Sequence, residues 1–318
     1  MTKKSSISGM KKKPRLLSRF FYSDQVAGYV FLCPFILNFL LFTFVPIFIS
    51  LYYSFTDYKI AGTAEWVGLK NYITMFTADF RFWNSLGITA VYTFISVPLK
   101  LIFALIVALI LNRNSKVVGI YRSMYYLPTM VGGSIAVAVT WKLMFQKYGL
   151  INSILNAVGI RSEMSWLSNP DTALGTLILL TVWQYGTSMV IFLAGLKQIP
   201  AQYYEAATVD GANKITSFFK ITLPLLSPIL FFNLVMQVIS GFIAFTQAYV
   251  ITEGGPANAT LMYVLYIYRQ GFSGQKMGYA CALAWIMLLI VAFFTAIIFK
   301  SSNSWVYYES TGAKKGDR

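Results

Sequence analysis

Residues 199–228, IPAQYYEAATVDGANKITSFFKITLPLLSP, form a polar, mixed-charge island between two long apolar runs. The island reads as two short helices with a bend. Pro200 suits the first turn of a helix, where its missing N–H removes no intrahelical bond. Gly211 marks the end of that helix, because a left-handed C-cap favours a residue without a Cβ. Asn213 caps the next helix through its side-chain oxygen, and Pro224 and Pro228 close the segment. Glu205, Ala206 and Ala207 put one carboxylate beside two minimal side chains, so another surface can approach the backbone closely. The pattern is that of a plug made for a socket in a different protein. An amphipathic helix lying on a membrane surface is the plainer alternative.

On either side of this island the composition names the solvent. Apolar residues make up 57% of the chain and charged residues only 12%, far from the balance of an ordinary soluble domain. A stretch of about 20 apolar residues spans a bilayer, and six such stretches follow one another. They run over about 27–51, 82–111, 123–145, 172–196, 225–251 and 277–299. Every backbone group in hydrocarbon must be paired within the structure, so these spans are helices. Pro34, Pro46, Pro98 and Pro128 lie inside them and predict local kinks. The fold class is therefore all-α, a polytopic membrane protein with six transmembrane helices. Its parts are a basic tail over 1–26, the six-helix domain over 27–300 with the polar loop at 198–228, and a C-terminal tail over 301–318.

The formal charge of +15 sits mostly in short segments beside the spans, so it reports membrane orientation rather than nucleic-acid binding. One set of segments carries Lys3, Lys4, Lys11, Lys12, Lys13, Arg15, Arg19, Arg113, Lys116, Arg122, Lys197, Lys214, Lys220, Lys300, Lys314, Lys315 and Arg318. The opposite set carries only Lys59, Lys70, Arg81, Lys147, Arg161, Arg269 and Lys276. The excess places both termini and the polar loop in the cytoplasm. The first apolar run is too long for a cleaved signal and no small-residue cleavage site follows it. Residues 1–19 have the composition of a disordered basic tail on an anionic leaflet. Cys33 and Cys281 fall toward opposite leaflets, which argues against a disulfide between them. Outside the membrane, 150–170 reads as a short interfacial helix and a turn, and 252–260 as a turn-rich loop around Gly254-Gly255-Pro256.

Catalytic chemistry has little to work with. The chain has no histidine, and all eleven acids fall outside the spans. A proton-coupled carrier needs an ionisable relay inside the bilayer, and an embedded enzyme needs a base or a metal cluster. The chain also lacks a phosphate-binding loop. No catalytic or metal-binding residue is assigned, and the energy source is expected to be another subunit. Lys100 and Lys142 are the charges inside the spans. Lys142 is close enough to a membrane surface to snorkel. Lys100 lies deeper and could meet an anionic substrate or a carbonyl freed at Pro98. Near mid-bilayer, Trp183, Gln184, Tyr185 and Thr187 cluster in the fourth span. Asn233, Gln237, Gly241 and Ala244 share one face of the fifth, and Thr129 and Gly133 follow Pro128 in the third. Neutral polar and aromatic groups suit a sugar, and the same residue types also hold membrane helices together.

The polar loop resembles a known signature. Glu205-Ala206-Ala207, three residues, Gly211, nine residues, Ile221, one residue and Leu223-Pro224 match the loop of membrane subunits of binding-protein-dependent ABC importers. The GGP loop at 254–256 and Trp166-Leu-Ser-Asn-Pro170 resemble the maltose-type class of such permeases. The resemblance implies a cytoplasmic coupling helix at Glu205, Ala206, Ala207, Asp210 and Gly211 seated in an ATPase. It implies sugar contacts at Thr129, Gly133, Trp183, Gln184, Gln237, Gly241 and Ala244, where the residue types differ from the maltose transporter's. The implied partners are a second homologous permease, two ATPase subunits, an extracytoplasmic sugar-binding protein and membrane lipid. No cofactor is implied in this chain itself, since ATP and Mg belong to the ATPase. The implied location is the bacterial inner (plasma) membrane, and the implied function is ATP-driven import of an oligosaccharide or other sugar by alternating access. A permease for glycerophosphodiesters or another phosphorylated substrate is the near alternative, and a stand-alone secondary carrier the distant one.

Overall fold

Apolar length and paired backbone dictate helices, and helices are what form. The structure, a computed structural model, describes residues 24–60, 62–112 and 116–307. The basic tail and the last residues of the chain lie outside that range. Among the described residues, extended pairing is limited to two isolated bridges, Thr56 with Trp66 and Lys59 with Lys276. The chain divides between Tyr53 and Ser54 into two units. In the first, α1 (Asp24–Phe39) continues through a π turn at Leu40–Phe44 into α2 (Val45–Ser54), which ends at the division. The wide turn lies just before Pro46, where the helix lacks a backbone donor.

The second unit begins with α3 (Lys70–Thr77) and α4 (Phe80–Leu111). It continues with α5 (Lys116–Val131), α6 (Ile135–Met144), α7 (Leu150–Ala157), α8 (Pro170–Trp183) and α9 (Gly186–Leu196). Then come α10 (Ala201–Val209), α11 (Lys214–Ser217), α12 (Leu223–Phe242), α13 (Tyr263–Tyr268) and α14 (Met277–Trp305). Among the described residues five stretches are long and apolar enough to cross a membrane: Gly28–Ser54, Phe80–Leu111, Pro170–Leu196, Lys214–Phe242 and Met277–Trp305. Gly119–Val131 and Ile135–Met144, bent by 96° at a short break, supply the sixth if counted as one span.

Four local expectations are corrected. The large bend of the third span, 96°, lies at the Gly132-Gly133-Ser134 break, one turn beyond Pro128, which lies inside α5. Two adjacent glycines weaken a helix most, and Ser134 Oγ accepts from Val137 N at 3.3 Å to start α6 afresh. The fifth span ends at Phe242 rather than at Ile251, although apolar residues continue. Pro224 and Pro228 do not close the polar loop. Pro224 sits in the first turn of α12, after a π turn at Phe218–Thr222, and Pro228 lies inside the helix. The last helix also passes the expected boundary and runs to Trp305.

The bundle is organised on α4, which packs against α8, α9, α12 and α13. Its buried positions include Ser85, Thr89, Tyr92, Thr93, Ser96, Val97, Leu101, Ala104, Ala108 and Leu111. This is a stripe at helical spacing, polar in its first half and apolar in its second. Lipid gives helices little hydrophobic reason to associate, so small residues and close approach matter. At Gly195 an added Cβ would stand 2.1 Å from Ile229 Cδ1. At Gly186 it would stand 2.5 Å from Thr129 Oγ1 and 3.0 Å from the Tyr125 carbonyl oxygen.

The two ends of the bundle are distinct. At one, Tyr307 N donates to Ser227 Oγ at 2.8 Å, which sets the end of α14 beside the start of α12. At the other, Asn152 is buried and organises the 145–169 connection. Its Nδ2 donates to the Lys147 and Met164 carbonyls at 2.8 Å each, and its Oδ1 accepts from Trp166 Nε1 at 2.8 Å. Asp79 caps α4: Oδ1 accepts from Arg81 N at 3.0 Å and Phe82 N at 3.2 Å, while Oδ2 accepts from the hydroxyls of Tyr266 and Tyr279. Burial, then Asp79's hydrogen bond and charge, raise the Tyr266 phenol above its ordinary value, so it remains a neutral donor. The 252–262 loop turns back into the bundle, with Leu261, Met262 and Tyr263 fully buried and Tyr263 N donating to Thr89 Oγ1 at 2.8 Å.

Candidate functional site

Three helices lose their backbone ladder at one place. The chain leaves helix at 132–134 between α5 and α6, at 184–185 between α8 and α9, and at 243–245 after α12. Non-helical backbone at membrane depth is tolerated where it is buried in protein or lines a cavity. Here it lines one. A hollow of about 340 Å³ is bounded by α4 (Tyr92, Ser96, Lys100), the glycines of the first break, Gln184, and residues 237–247 of α12 and beyond.

A hydrogen-bonded chain crosses one wall of this hollow. Gln184 Nε2 donates to the Gly132 carbonyl at 2.9 Å, and Gln247 Nε2 donates to Gln184 Oε1 at 3.2 Å. Thr181 Oγ1 donates to Gln247 Oε1 at 3.0 Å, and the Tyr92 hydroxyl lies 2.5 Å from Thr181 Oγ1. Two glutamines thus tie the three broken stretches together and satisfy one freed carbonyl. Other groups stay open: Ser96 Oγ is buried without a partner, and the Gln237 amide makes no hydrogen bond among the described residues.

Of the positions expected to meet a sugar, Gly133, Gln184, Gln237, Gly241 and Ala244 line the hollow. Thr129 and Trp183 do not. Thr129 faces Gly186 at the α5–α9 contact, and Trp183 packs on Trp141 with ring centroids 5.9 Å apart. Gly241 also lets α12 approach α4, since a Cβ there would stand 2.8 Å from Thr93 Cγ2. Tyr92, Ser96, Thr181 and Gln247 were not singled out by sequence reasoning. The signal for the first two was present, because Ser85, Thr89, Tyr92, Ser96 and Lys100 repeat at helical spacing in an otherwise apolar span.

The polar island forms a separate, protruding feature. Pro200 is the N-cap of α10, one position before the first turn expected of it. Gly211 has φ of +78°, Gly211 N donates to the Thr208 carbonyl at 3.1 Å, and Ala212 N donates to the Ala207 carbonyl at 2.8 Å. That pair of bonds is the Schellman C-cap, which closes the orphan carbonyls of a short helix. Asn213 Oδ1 accepts from Thr216 N at 2.8 Å and starts α11. The Tyr204 hydroxyl lies 2.9 Å from Thr222 Oγ1 and fixes α10 to the root of α12. Glu205, Ala206, Asp210 and Gly211 are exposed, while Ala207 is buried. Beside them Val209 is 88% exposed, Ile215 69% and Phe219 60%, leaving an apolar surface around two carboxylates.

Spans broken around a polar hollow, with a capped helix projecting from one end, are the build of a polytopic helical membrane transport protein. Residues 91–304 match the model of the binding-protein-dependent transport system inner membrane component family, and the chain belongs to that family. It is 53% identical over 295 residues to the probable ABC transporter permease protein YesP of Bacillus subtilis (strain 168), covering 92% of this chain and 96% of that protein. It is 34% identical over 288 residues to the trehalose/maltose transport system permease protein MalF of Thermococcus litoralis, covering 90% and 96%. The fold is shared with a subunit of a bacterial ABC transporter that imports the acidic polysaccharide alginate. The TM-score is 0.77 at 22% identity, over 90% of this chain and 98% of that one.

Proposed function

We propose that this chain is one of two permease subunits of an ATP-driven importer for an oligosaccharide or related sugar. Two ATPase subunits drive it and an extracytoplasmic binding protein delivers the substrate. The trehalose/maltose specificity of the Thermococcus relative supports a sugar as cargo. In this reading Glu205, Ala206, Ala207, Asp210 and Gly211 form the coupling surface, and α10 seats in a cleft of the ATPase. ATP and Mg are held by that partner. The polar end of the bundle, with both termini, faces the cytoplasm.

The observation that carries the reading is the build of α10. It is short, closed at its C-terminus by the Schellman cap at Gly211 and anchored through Tyr204 to Thr222 at the root of α12. A force on it therefore reaches α12, whose far end borders the hollow, as a rigid-body displacement. ATP binding must favour the outward-open arrangement by about 5.5 kcal/mol to move a population from about 1% to about 99%. The sugar would meet Gly133, Gln184, Gln237, Gly241 and Ala244 in the hollow, with Thr129 and Trp183 one layer behind as packing residues. The hollow has no arginine lining it, which disfavours a phosphorylated cargo, and no acid for a proton-driven carrier.

The test is uptake by the complete importer carrying Gly211→Pro or Glu205→Lys. Proline cannot take the positive φ at position 211, and lysine reverses the charge on the exposed face. Uptake is expected to vanish for both, while the binding protein still captures its sugar. Normal uptake by both variants would refute the coupling role.

A further inference from the structure

Lys100 is the one charged side chain that lines the hollow. Among the described residues its Nζ makes neither an ion pair nor a hydrogen bond; the ion pairs are Lys59 with Asp57 and Lys147 with Glu163. No carbonyl near Pro98 accepts from it. A lysine at this depth is retained against the preference of the bilayer only where it faces water or a partner. One turn before it, on the same face of α4, Ser96 Oγ is fully buried and unpartnered. Across the hollow the Gln237 amide is open, whereas Gln184 and Gln247 are occupied by each other.

The open set thus holds one cation, Lys100, together with the Gln237 amide and the hydroxyls of Ser96, Ser240 and Thr246. A neutral sugar would satisfy Ser96 and Gln237 and would leave the ammonium facing hydroxyls alone. A dianionic phosphate would meet a single point charge with no arginine fork to share it. A monoanion balances the charge. We propose that the hollow selects a sugar bearing one carboxylate, a uronic acid residue, with the carboxylate on Lys100 Nζ and ring hydroxyls on Ser96 and Gln237. This deepens the sugar-importer reading and rests on it.

The experiment titrates the complete importer, in detergent and without its binding protein, with a disaccharide of one uronic acid and one neutral hexose. The methyl ester of the same disaccharide is the neutral control. A charge-assisted hydrogen bond corresponds to roughly tenfold or more in affinity. The acid is expected to bind at least about tenfold tighter than its ester by this measure, and the preference is expected to fall with added salt. Lys100→Met should erase the preference, and Lys100→Arg should keep most of it. Lys100→Gln, which keeps the length and polarity of the side chain, replaces the methionine variant if that one fails to assemble. Equal binding of acid and ester by the wild type, no binding of either at millimolar concentration, or an undiminished preference without Lys100 would overturn the inference. ATP-dependent uptake of neutral oligosaccharides by the wild type, unaltered in Lys100→Met, would overturn it and leave the importer reading standing. Failure of the wild type to move any sugar would instead overturn the importer reading.

Discussion

A single carboxylate shows how this fold uses its few charges. Asp79 caps α4 with one oxygen and accepts two tyrosine hydroxyls with the other, so a helix start, α13 and α14 meet on one side chain. Losing an N-cap costs about 0.5–2 kcal/mol, and stranding a buried hydroxyl costs about 1–3 kcal/mol. Asp79→Ala should therefore destabilise the protein by roughly 2–4 kcal/mol on those terms, read as a fall in the thermal midpoint in detergent. Asp79→Asn retains an acceptor for the cap and should lose only the tyrosine side of the arrangement. If the alanine and asparagine variants melt alike, the cap contributes nothing beyond the tyrosine contacts. The acid was legible in the sequence only as a residue outside the spans, because its two tyrosine partners are 187 and 200 residues away.

At the scale of elements, apolar length identified the spans and helix-cap chemistry identified the polar island. Gly211 and Asn213 act as their residue types predict, since capping is decided within a few neighbours. The breaks were less legible. Hydropathy reports which residues avoid water and is silent on whether the ladder continues, so the run through Ile251 concealed the end of α12 at Phe242. Pro128 drew attention away from Gly132-Gly133, although proline is tolerated in membrane helices that repair the lost bond. The hollow itself could not be read, because it arises from three breaks brought to one place by packing. Thr129 illustrates the point, being a polar residue near a break whose side chain serves a helix contact. That contact can be tested. Gly186→Val would press Cγ atoms into Thr129 and the α5 backbone, which cannot withdraw as a flexible side chain can. Overpacking of this kind costs about 1–3 kcal/mol. The expected result is a lowered thermal midpoint with α5 displaced from α9. Restoration by the double variant Gly186→Val, Thr129→Gly would be partial, because the Tyr125 carbonyl remains. Full stability of the single variant would show that the two helices are not held at this distance in the assembled protein.

For the whole molecule, one direction decides whether the proposed coupling is physically possible. The projecting helix, the start of α12 and the end of α14 lie at one end of the bundle, joined by the Tyr307–Ser227 hydrogen bond. The 145–169 connection and the buried 252–262 loop lie at the other, because each is separated from the projecting helix by one crossing of the bundle. Lys and Arg are concentrated in the segments of the first end, which the proposed orientation turns to the cytoplasm. An ATPase can grip α10 only from there. The chain has two cysteines, Cys33 and Cys281, so a cysteine-free background with single reporters is accessible. Val209→Cys and Tyr148→Cys replace side chains that are 88% and 89% exposed at the two ends. A membrane-impermeant maleimide should label position 209 in inside-out vesicles lacking the ATPase, and position 148 in right-side-out ones. Adding the ATPase subunits should then protect position 209 and leave position 148 as reactive as before, since only α10 enters the cleft. Labelling with the opposite sidedness would place α10 away from any cytoplasmic nucleotide, and the route from ATP to the hollow would have no beginning.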